Sequence, residues 1–534
     1  MCGLFGSLGN AVKSPNFYEA FEHLNHRGPD DTEVVHQNGE VTLAFHRLAI
    51  MDTSHAGDQP LKDVERKVWL ICNGEVYNYP ELYKHYQPTY PFTSHSDCEA
   101  ILPLYREFGI RETARRLDAE YAFVIWDGEK NKLFAARDPI GIRPLFYGNS
   151  KLDGKIMFAS EAKVLHTLCD TVTPFPPGHY YDGDGNFVSY RKITEVKKFT
   201  TDPKEKVLDE IRDRLTEGVR KRLVADVPVG FLLSGGLDSS LVCGIAAKML
   251  KKPLVTFSVG LNKNPIDLPY AKKVADFIKS NHHEVYFTEE DTLAVVREVI
   301  WHLETWDITT VRASIGMYLV CKYIHEKTKI KVVLTGEVSD EIFGYKYTDF
   351  APSPAEFQKE AVKRVDELYI YDVLRADRCI SAHSIEARVP FADLDFVEYC
   401  MSIPPEMKMN TTGVGKYLLR KAFDGWDVLP DEILMREKAA FSDAVGHSMV
   451  DTLKAYGENN YSDADLAKAK ERFPHGTPFT KESLWYREIF EEFYPGRAGM
   501  IKDFWMPNKS WEGCNVNDPS ARVLSNYGKS GDVV

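Results

Sequence analysis

The chain has 534 residues, 44% of them hydrophobic and 27% charged, with a net charge of -13. That length exceeds what one hydrophobic core supports, so two or more domains are expected. The acidic balance argues against a general nucleic-acid binder, and no run reaches the ~18 apolar residues of a membrane span.

The N-terminus, Met1-Cys2-Gly3-Leu4-Phe5-Gly6, lacks the basic and then apolar pattern of a secretory leader. Up to about residue 195 the sequence is dominated by short β-type runs, among them 67–72, 121–126, 133–137 and 156–159. An amphipathic helix is predicted at 99–108. Several strands with few helices point to stacked sheets flanked by helices.

A polar stretch, KKFTTDPKEK at 197–206, reads as a linker, and the texture then changes. Val207, Ile211, Leu215 and Val219 recur every fourth residue, which marks a helix. A strand at 229–233, a Gly-rich turn and a helix at 239–250 follow, with further strands at 254–259 and 331–334. Strands alternating with helices predict a doubly wound parallel sheet. The tail after about residue 495 is rich in Gly, Asn, Ser and Pro and reads as irregular. The expected division is a first domain over 2–195, a linker over 196–206, a second domain over 207–495 and a tail over 496–534. Nine cysteines without CxxC or zinc spacing fit a reducing cytoplasm, with Cys72, Cys98, Cys243 and Cys321 as packing residues.

Cys2 becomes the first residue if Met1 is removed. It then carries a thiol beside a free α-amine that titrates near pH 8 and can take the thiol proton. The resulting thiolate can attack an amide and release ammonia. Glutamine, the obvious amide, needs a cation for its carboxylate, an anion for its ammonium and donors for the oxyanion. Arg47 supplies the first, Asp97 with Glu75 the second, and the Asn73 amide with the Gly74 N–H the third. Read singly, Arg47 and Asp97 are surface charges and Asn73-Gly74 is a hairpin turn.

Ser234-Gly235-Gly236-Leu237-Asp238-Ser239-Ser240 lies between the 229–233 strand and a helix. Its glycines let the backbone approach phosphate, and the serine hydroxyls and helix N-terminus supply donors. Asp238 would repel phosphate without an intervening cation, which predicts Mg²⁺. The pattern is not GxxxxGK[ST].

Taken together, MCGLFG, NHRGPDD, LAFHRLAIMD, NGEVYN, SHSDCE, AEYAFVIWD, RDPIGIRPLFY and FASEAK occur in the order seen in class II glutamine amidotransferases. Those are N-terminal nucleophile hydrolases with an αββα sandwich. The resemblance implies Cys2 as nucleophile, its α-amine as base, and Arg47, Leu48, Ala49, Ile50, Met51, Asn73, Gly74, Glu75 and Asp97 around glutamine. SGGLDS resembles the loop of ATP pyrophosphatases, which adenylate a carboxylate and release AMP and pyrophosphate. FSVGL, TTVRAS, TGEVSDE, EARVPFAD, REKAAFSD, YREIFEEF and DPSAR extend the resemblance to the asparagine synthetase family along nearly the whole chain.

That family resemblance implies glutamine, aspartate and ATP as small-molecule substrates, a tunnel for ammonia and a homodimer. Leu233, Ser234, Gly235, Gly236, Asp238, Ser239, Val259, Thr335, Gly336 and Lys438 are expected at ATP and pyrophosphate. Glu337 is expected to support formation of a β-aspartyl-adenylate, Asp238 and Asp340 to hold Mg²⁺, and Thr309, Arg312 and Arg388 to meet aspartate. Arg312 and Arg388 can equally be structural ion-pair residues. The chain departs from the family at Val338, where GEGSDE has Gly, and in a segment one residue short at 343–347. It departs again at Ala439 and Ala444, which replace Glu and Gly. Another carboxylate acceptor, or a silent glutamine or ATP sensor, remains an alternative at this stage.

Overall fold

The computed structural model describes residues 1–37, 39–63, 65, 67–263, 265–437 and 447–527. It divides into two compact units, one of Met1–Ile193 with Ala225–Pro228 and Ile380–Glu386, the other of Thr194–Val224, Val229–Cys379 and Ala387–Val534.

The first unit is built from two six-stranded antiparallel sheets. The twelve strands are β1 (Gly3–Leu8), β2 (Asp31–Gln37), β3 (Val41–Arg47), β4 (Leu61–Asp63), β5 (Val68–Val76), β6 (Ala119–Asp127), β7 (Lys132–Arg137), β8 (Phe146–Asn149), β9 (Ile156–Ala159), β10 (Thr173–Pro174), β11 (His179–Tyr181) and β12 (Phe187–Ser189). Their orders are β10-β8-β9-β1-β3-β2 and β12-β11-β7-β6-β5-β4.

Side chains alternate across a strand, so each strand of the second sheet feeds two cores. Ile71, Ala122, Val124 and Trp126 face inward, against Leu4, Val41, Leu43 and Phe45 of the first sheet. Leu70, Cys72, Tyr121, Phe123 and Ile125 face outward and pack on Ile101, Leu102 and Tyr105 of a covering helix. That helix, Ile101–Arg116, is longer than the predicted 99–108. Residues 97–100 form a 3-10 turn, and the helical run continues across Gly109, whose backbone (φ 71, ψ 177) kinks it. Helices Phe17–Glu22 and Ala162–Leu168 pack together, the latter against β8 and β9. The layers are therefore helix, sheet, sheet, helix.

In the second unit, Val207, Ile211, Leu215 and Val219 are fully buried along one face of Lys204–Arg222. The five strands are β13 (Val229–Leu232), β14 (Val255–Leu261), β15 (Asn281–Phe287), β16 (Val332–Leu334) and β17 (Glu386–Arg388), in the order β15-β14-β13-β16-β17. The β13–β14, β13–β16 and β14–β15 pairs are parallel. Order therefore reverses at β13, and β13 and β16 open their C-terminal ends side by side. In such sheets that position is where ligands bind. Ile308–Lys327 packs on β14, and a long C-terminal helix runs over Lys481–Phe493. The described residues after 495 carry only short 3-10 turns, yet Trp511, Cys514 and Leu524 pack on Tyr347 and Phe357. Among the described residues, no helix is long and apolar enough to cross a membrane.

The two sheets meet most tightly at Gly6. A Cβ there would stand 2.8 Å from Val124 Cγ1, closer than packed carbons tolerate. Gly6→Ala is expected to lower stability by about 1–3 kcal/mol through overpacking, and Gly6→Ala with Val124→Ala to recover part of that loss. Urea denaturation of both variants measures it; a purely additive pair would mean the contact is not the cause.

Candidate active sites

In the first unit, β1 begins at Gly3, so Cys2 sits where the chain enters the inner sheet. The Cys2 backbone nitrogen donates to Asn73 Oδ1 at 3.0 Å, and Arg27 Nε donates to the Cys2 carbonyl at 2.9 Å. Cys2 Sγ accepts from Leu48 N at 3.4 Å. Burial pushes the Cys2 thiol up, a shift opposed by the neighbouring α-amine.

Asn73 and Gly74 are not a turn. They lie inside β5, opposite Ala122 and Tyr121 of β6. A Cβ at residue 74 would stand 2.6 Å from the Glu120 carbonyl, so only glycine fits this tight pairing. Asn73 is fully buried, and its Nδ2 has no hydrogen-bond partner among the described residues. A buried donor left open beside a thiol suits an anion that forms only during reaction.

In the loop that follows β3, Leu48, Ala49, Ile50 and Met51 are all buried. Ala49 N donates to Asp30 Oδ2 at 2.7 Å. Arg47 is 5% exposed, not a surface charge. Its guanidinium reaches Asp58 Oδ1 at 2.6 Å and the Ser54 carbonyl at 2.8 Å, and also bonds the Asp52 carbonyl. Asp97 is equally buried and accepts from Val76 N at 2.6 Å, which fixes it beside the end of β5 that carries Glu75.

In the second unit the predicted nucleotide residues converge on one cavity. Leu233, Ser234, Gly236, Asp238, Ser239, Val259, Thr335 and Gly336 line it, together with Thr309, Arg312, Glu337 and Asp340. Gly235 does not. Its φ of +77 turns it toward Tyr270-Ala271, where a Cβ would lie 2.4 Å from Ala271 N. Arg436 holds that turn, with Nη1 on the Gly235 carbonyl at 3.0 Å, Nη2 on Asp267 at 2.7 Å and its guanidinium over the Tyr270 ring. Gly336 is pressed against the other loop, where a Cβ would meet Ser239 N at 2.6 Å. The hydroxyls of Thr309 and Thr335 are buried and have no partner among the described residues.

Of the two readings open for Arg312 and Arg388, the structure shows the structural one. Arg312 grips Glu482 through two bonds of 2.8 and 2.5 Å and Asp518 at 2.9 Å. Arg388 is fully buried, is not among the cavity-lining residues, and donates to the Arg222 and Val224 carbonyls. Both guanidiniums are thus tied to the scaffold. Lys438, with Ala439 and Ala444, lies outside the described residues.

Sequence reasoning missed two cations. Arg375 pairs with Glu337 Oε2 at 2.6 Å. Lys416 Nζ lies 2.8 and 2.9 Å from the two Asp238 oxygens and 2.6 Å from Asp340 Oδ1. No local pattern marks Lys416, because its partner Asp238 lies 178 residues away in sequence.

Two family models match the chain. One, a glutamine amidotransferase domain, covers residues 1–177, and the other, asparagine synthase, covers 210–355 and 349–517. The human glutamine-hydrolyzing asparagine synthetase is 41% identical over 565 aligned residues, spanning 99% of both chains. The Gallus gallus enzyme of the same name is 42% identical over 566, again spanning 99% of each. The chain belongs to the glutamine-hydrolysing asparagine synthetase family.

The loop after β16 carries Val338 where the GEGSDE pattern has Gly. Its backbone sits at φ 82, ψ -20, the left-handed region that favours glycine. For a β-branched residue that costs on the order of 1–3 kcal/mol. The side chain is 1% exposed, and burying an isopropyl group returns roughly 1.5–3 kcal/mol. The two terms are of similar size, so the strain is held by the burial. Val338→Ala should lose the burial and keep the strain, whereas Val338→Gly loses both. The usual order, in which glycine is the less stable by about 0.5–1 kcal/mol, is therefore expected to invert. Chemical denaturation of the two variants checks this; an alanine variant more stable than the glycine one would contradict the strained geometry.

Burial raises the Asp518 carboxyl, but Arg312 and Lys454 outweigh it and hold the group well below the ordinary carboxylate range. A depressed carboxylate stabilises the fold above its unfolded value near 3.9 and loses that contribution as pH falls through the folded value. Asp518→Asn is expected to be destabilised at pH 7, with the difference from the parent shrinking below pH 4. Melting curves across that range measure it.

Proposed function

We propose that this protein is a glutamine-dependent asparagine synthetase in which each unit performs one half of the reaction. Residues 2–195 carry the glutaminase and 207–495 the synthetase; the stretch expected as a linker over 196–206 belongs to the second unit, whose first helix already begins at Lys204, and described residues of the 496–534 tail pack within that unit. The single observation that carries the reading is the meeting of Cys2 with the Asn73 amide in one unit and of the SGGLDS and TGEVSDE loops around one cavity in the other.

After loss of Met1, the Cys2 nitrogen held by Asn73 Oδ1 is the α-amine. It takes the thiol proton, and Sγ attacks the glutamine side-chain amide. Asn73 Nδ2 and the Gly74 N–H receive the oxyanion. Arg47 and the 48–51 loop hold the glutamine carboxylate, and Glu75 with Asp97 hold its ammonium. Ammonia leaves, and water hydrolyses the thioester to glutamate.

In the second unit ATP lies along Leu233, Val259 and Thr335, with its phosphates on Ser234, Gly236 and Ser239 and on Lys438, over the turn that Gly235 shapes. Aspartate is oriented by Thr309, with Arg312 and Arg388 fixing the surrounding frame. Its β-carboxylate attacks the α-phosphorus, pyrophosphate departs, and Glu337, positioned by Arg375, stabilises the acyl-adenylate. Ammonia attacks the acyl carbon and AMP leaves.

Asp238 and Asp340 fit a divalent cation, since the structure brings both carboxylates onto one positive centre, the Lys416 ammonium. Mg²⁺ held there would screen the pyrophosphate charge. We place the enzyme in the cytoplasm as a homodimer working on small molecules, apart from nucleic acid and membrane.

The decisive assay supplies ATP, Mg²⁺, aspartate and either glutamine or ammonium, and counts asparagine, AMP and pyrophosphate. Matched yields are expected. Cys2→Ala should lose the glutamine-dependent reaction by at least about 10³-fold and keep the ammonium-dependent one. Glutamate formation without asparagine or AMP, in folded protein, would point to another acceptor.

A further inference from the structure

The cation between Asp238 and Asp340 is part of the polypeptide. Lys416 is 4% exposed and reaches three carboxylate oxygens and Ser339 Oγ, the last at 3.0 Å. Ser339 Oγ in turn donates to Asp238 Oδ1 at 2.7 Å. An ammonium is a compact point charge. It stands here where a divalent ion would have to stand to share the same two carboxylates, and the two cations cannot occupy that place together without strong repulsion.

The local backbone suits a side chain that can withdraw. Lys416 itself is left-handed (φ 55, ψ 33). It follows Gly413 and Gly415, at each of which an added Cβ would meet nothing within 4 Å. The 411–413 stretch is exposed to solvent. Arg420 anchors the far side of the turn through the Gly415 carbonyl at 2.7 Å. A residue at the edge of an open turn can change its side-chain course without disturbing the sheet.

We propose that Lys416 is a built-in counter-ion: with no nucleotide bound, its ammonium holds the cation position of Asp238 and Asp340 and keeps free divalent metal out. Metal then enters only together with a polyphosphate, whose negative charge gives the displaced ammonium a new partner. The order of binding is thereby set by the chain: nucleotide and metal arrive as one, and metal alone does not load the site. This rests on the proposed metal role of Asp238 and Asp340, and the test separates the two.

Mn²⁺ binding to the full-length protein, followed by the loss of its free-ion electron paramagnetic resonance signal, is measured with and without ATP. Without ATP, the parent is expected to show no saturable site below millimolar Mn²⁺, and Lys416→Met one site at least tenfold tighter, removed by adding Asp238→Asn. With ATP, the parent should bind Mn²⁺ and Asp238→Asn should bind it at least tenfold more weakly. A parent that binds Mn²⁺ tightly without ATP, at a site lost in Asp238→Asn, overturns the counter-ion. So does a Lys416→Met site within twofold of the parent. If Asp238→Asn leaves Mn²⁺ binding with ATP unchanged, the metal assignment fails and the counter-ion falls with it.

Removing the ammonium leaves two carboxylates facing each other, so thermal melting in Mg²⁺ gives a second reading that needs no activity. Lys416→Met, or Lys416→Gln if the first is poorly folded, is expected to gain several degrees from Mg²⁺ while the parent gains less than one. Equal gains in variant and parent count against the proposal.

Discussion

Much of the synthetase unit depends on one close contact, the backbone of Gly336 against that of Ser239. Parallel pairing of β13 with β16 brings the loops after both strands to the same end of the sheet. At the usual separation of neighbouring strands, a side chain at residue 336 would wedge them apart. Without it, Glu337, Asp340 and Thr335 from one loop and Ser234, Asp238 and Ser239 from the other line a single cavity. The acidic groups this brings together then require positive partners. Lys416 and Arg375 answer that requirement, and Arg436 does the same for Asp267 beneath the glycine turn. Charge compensation at the sheet's end follows from backbone proximity.

The amidotransferase unit uses a similar economy of space. Gly74 allows β5 to approach β6, and the register that results puts Asn73 at the Cys2 nitrogen. Gly6 performs the matching service between the two sheets. Thus Cys2 and its amide partner come from separate layers of the sandwich, and their spacing is set by how closely two pleated surfaces can pack.

Most of the architecture was legible in the sequence because it is written locally. The four-residue rhythm from Val207 to Val219 marks a helix whose apolar face is buried, and the β-type run at 121–126 matches a strand that serves two cores. What escaped is written at long range. Lys416 answers to Asp238 across 178 positions, and Arg312 to Glu482 and Asp518 across 170 and 206. No window of the sequence contains both members of such a pair, so an arginine held by a carboxylate and one waiting for a substrate look alike. Asn73-Gly74, taken singly, resembles a turn for the opposite reason. The pair has strong turn preference, yet its neighbours on both sides continue the strand, and tertiary pairing prevailed. The strain at Val338 was visible only against the family's GEGSDE pattern, since nothing in its own neighbours demands a left-handed residue.

The thiol inventory has a consequence for chemistry done on the protein from outside. The chain has nine cysteines, none in a disulfide, and every one except Cys2 is buried. A thiol-selective electrophile therefore meets a single partly accessible thiol on the native molecule, and alkylation at one equivalent per chain becomes a count of folded chains with Cys2 open to solvent. A fluorescent or mass-tagged reagent would titrate that thiol in an unfractionated preparation, with no substrate turned over.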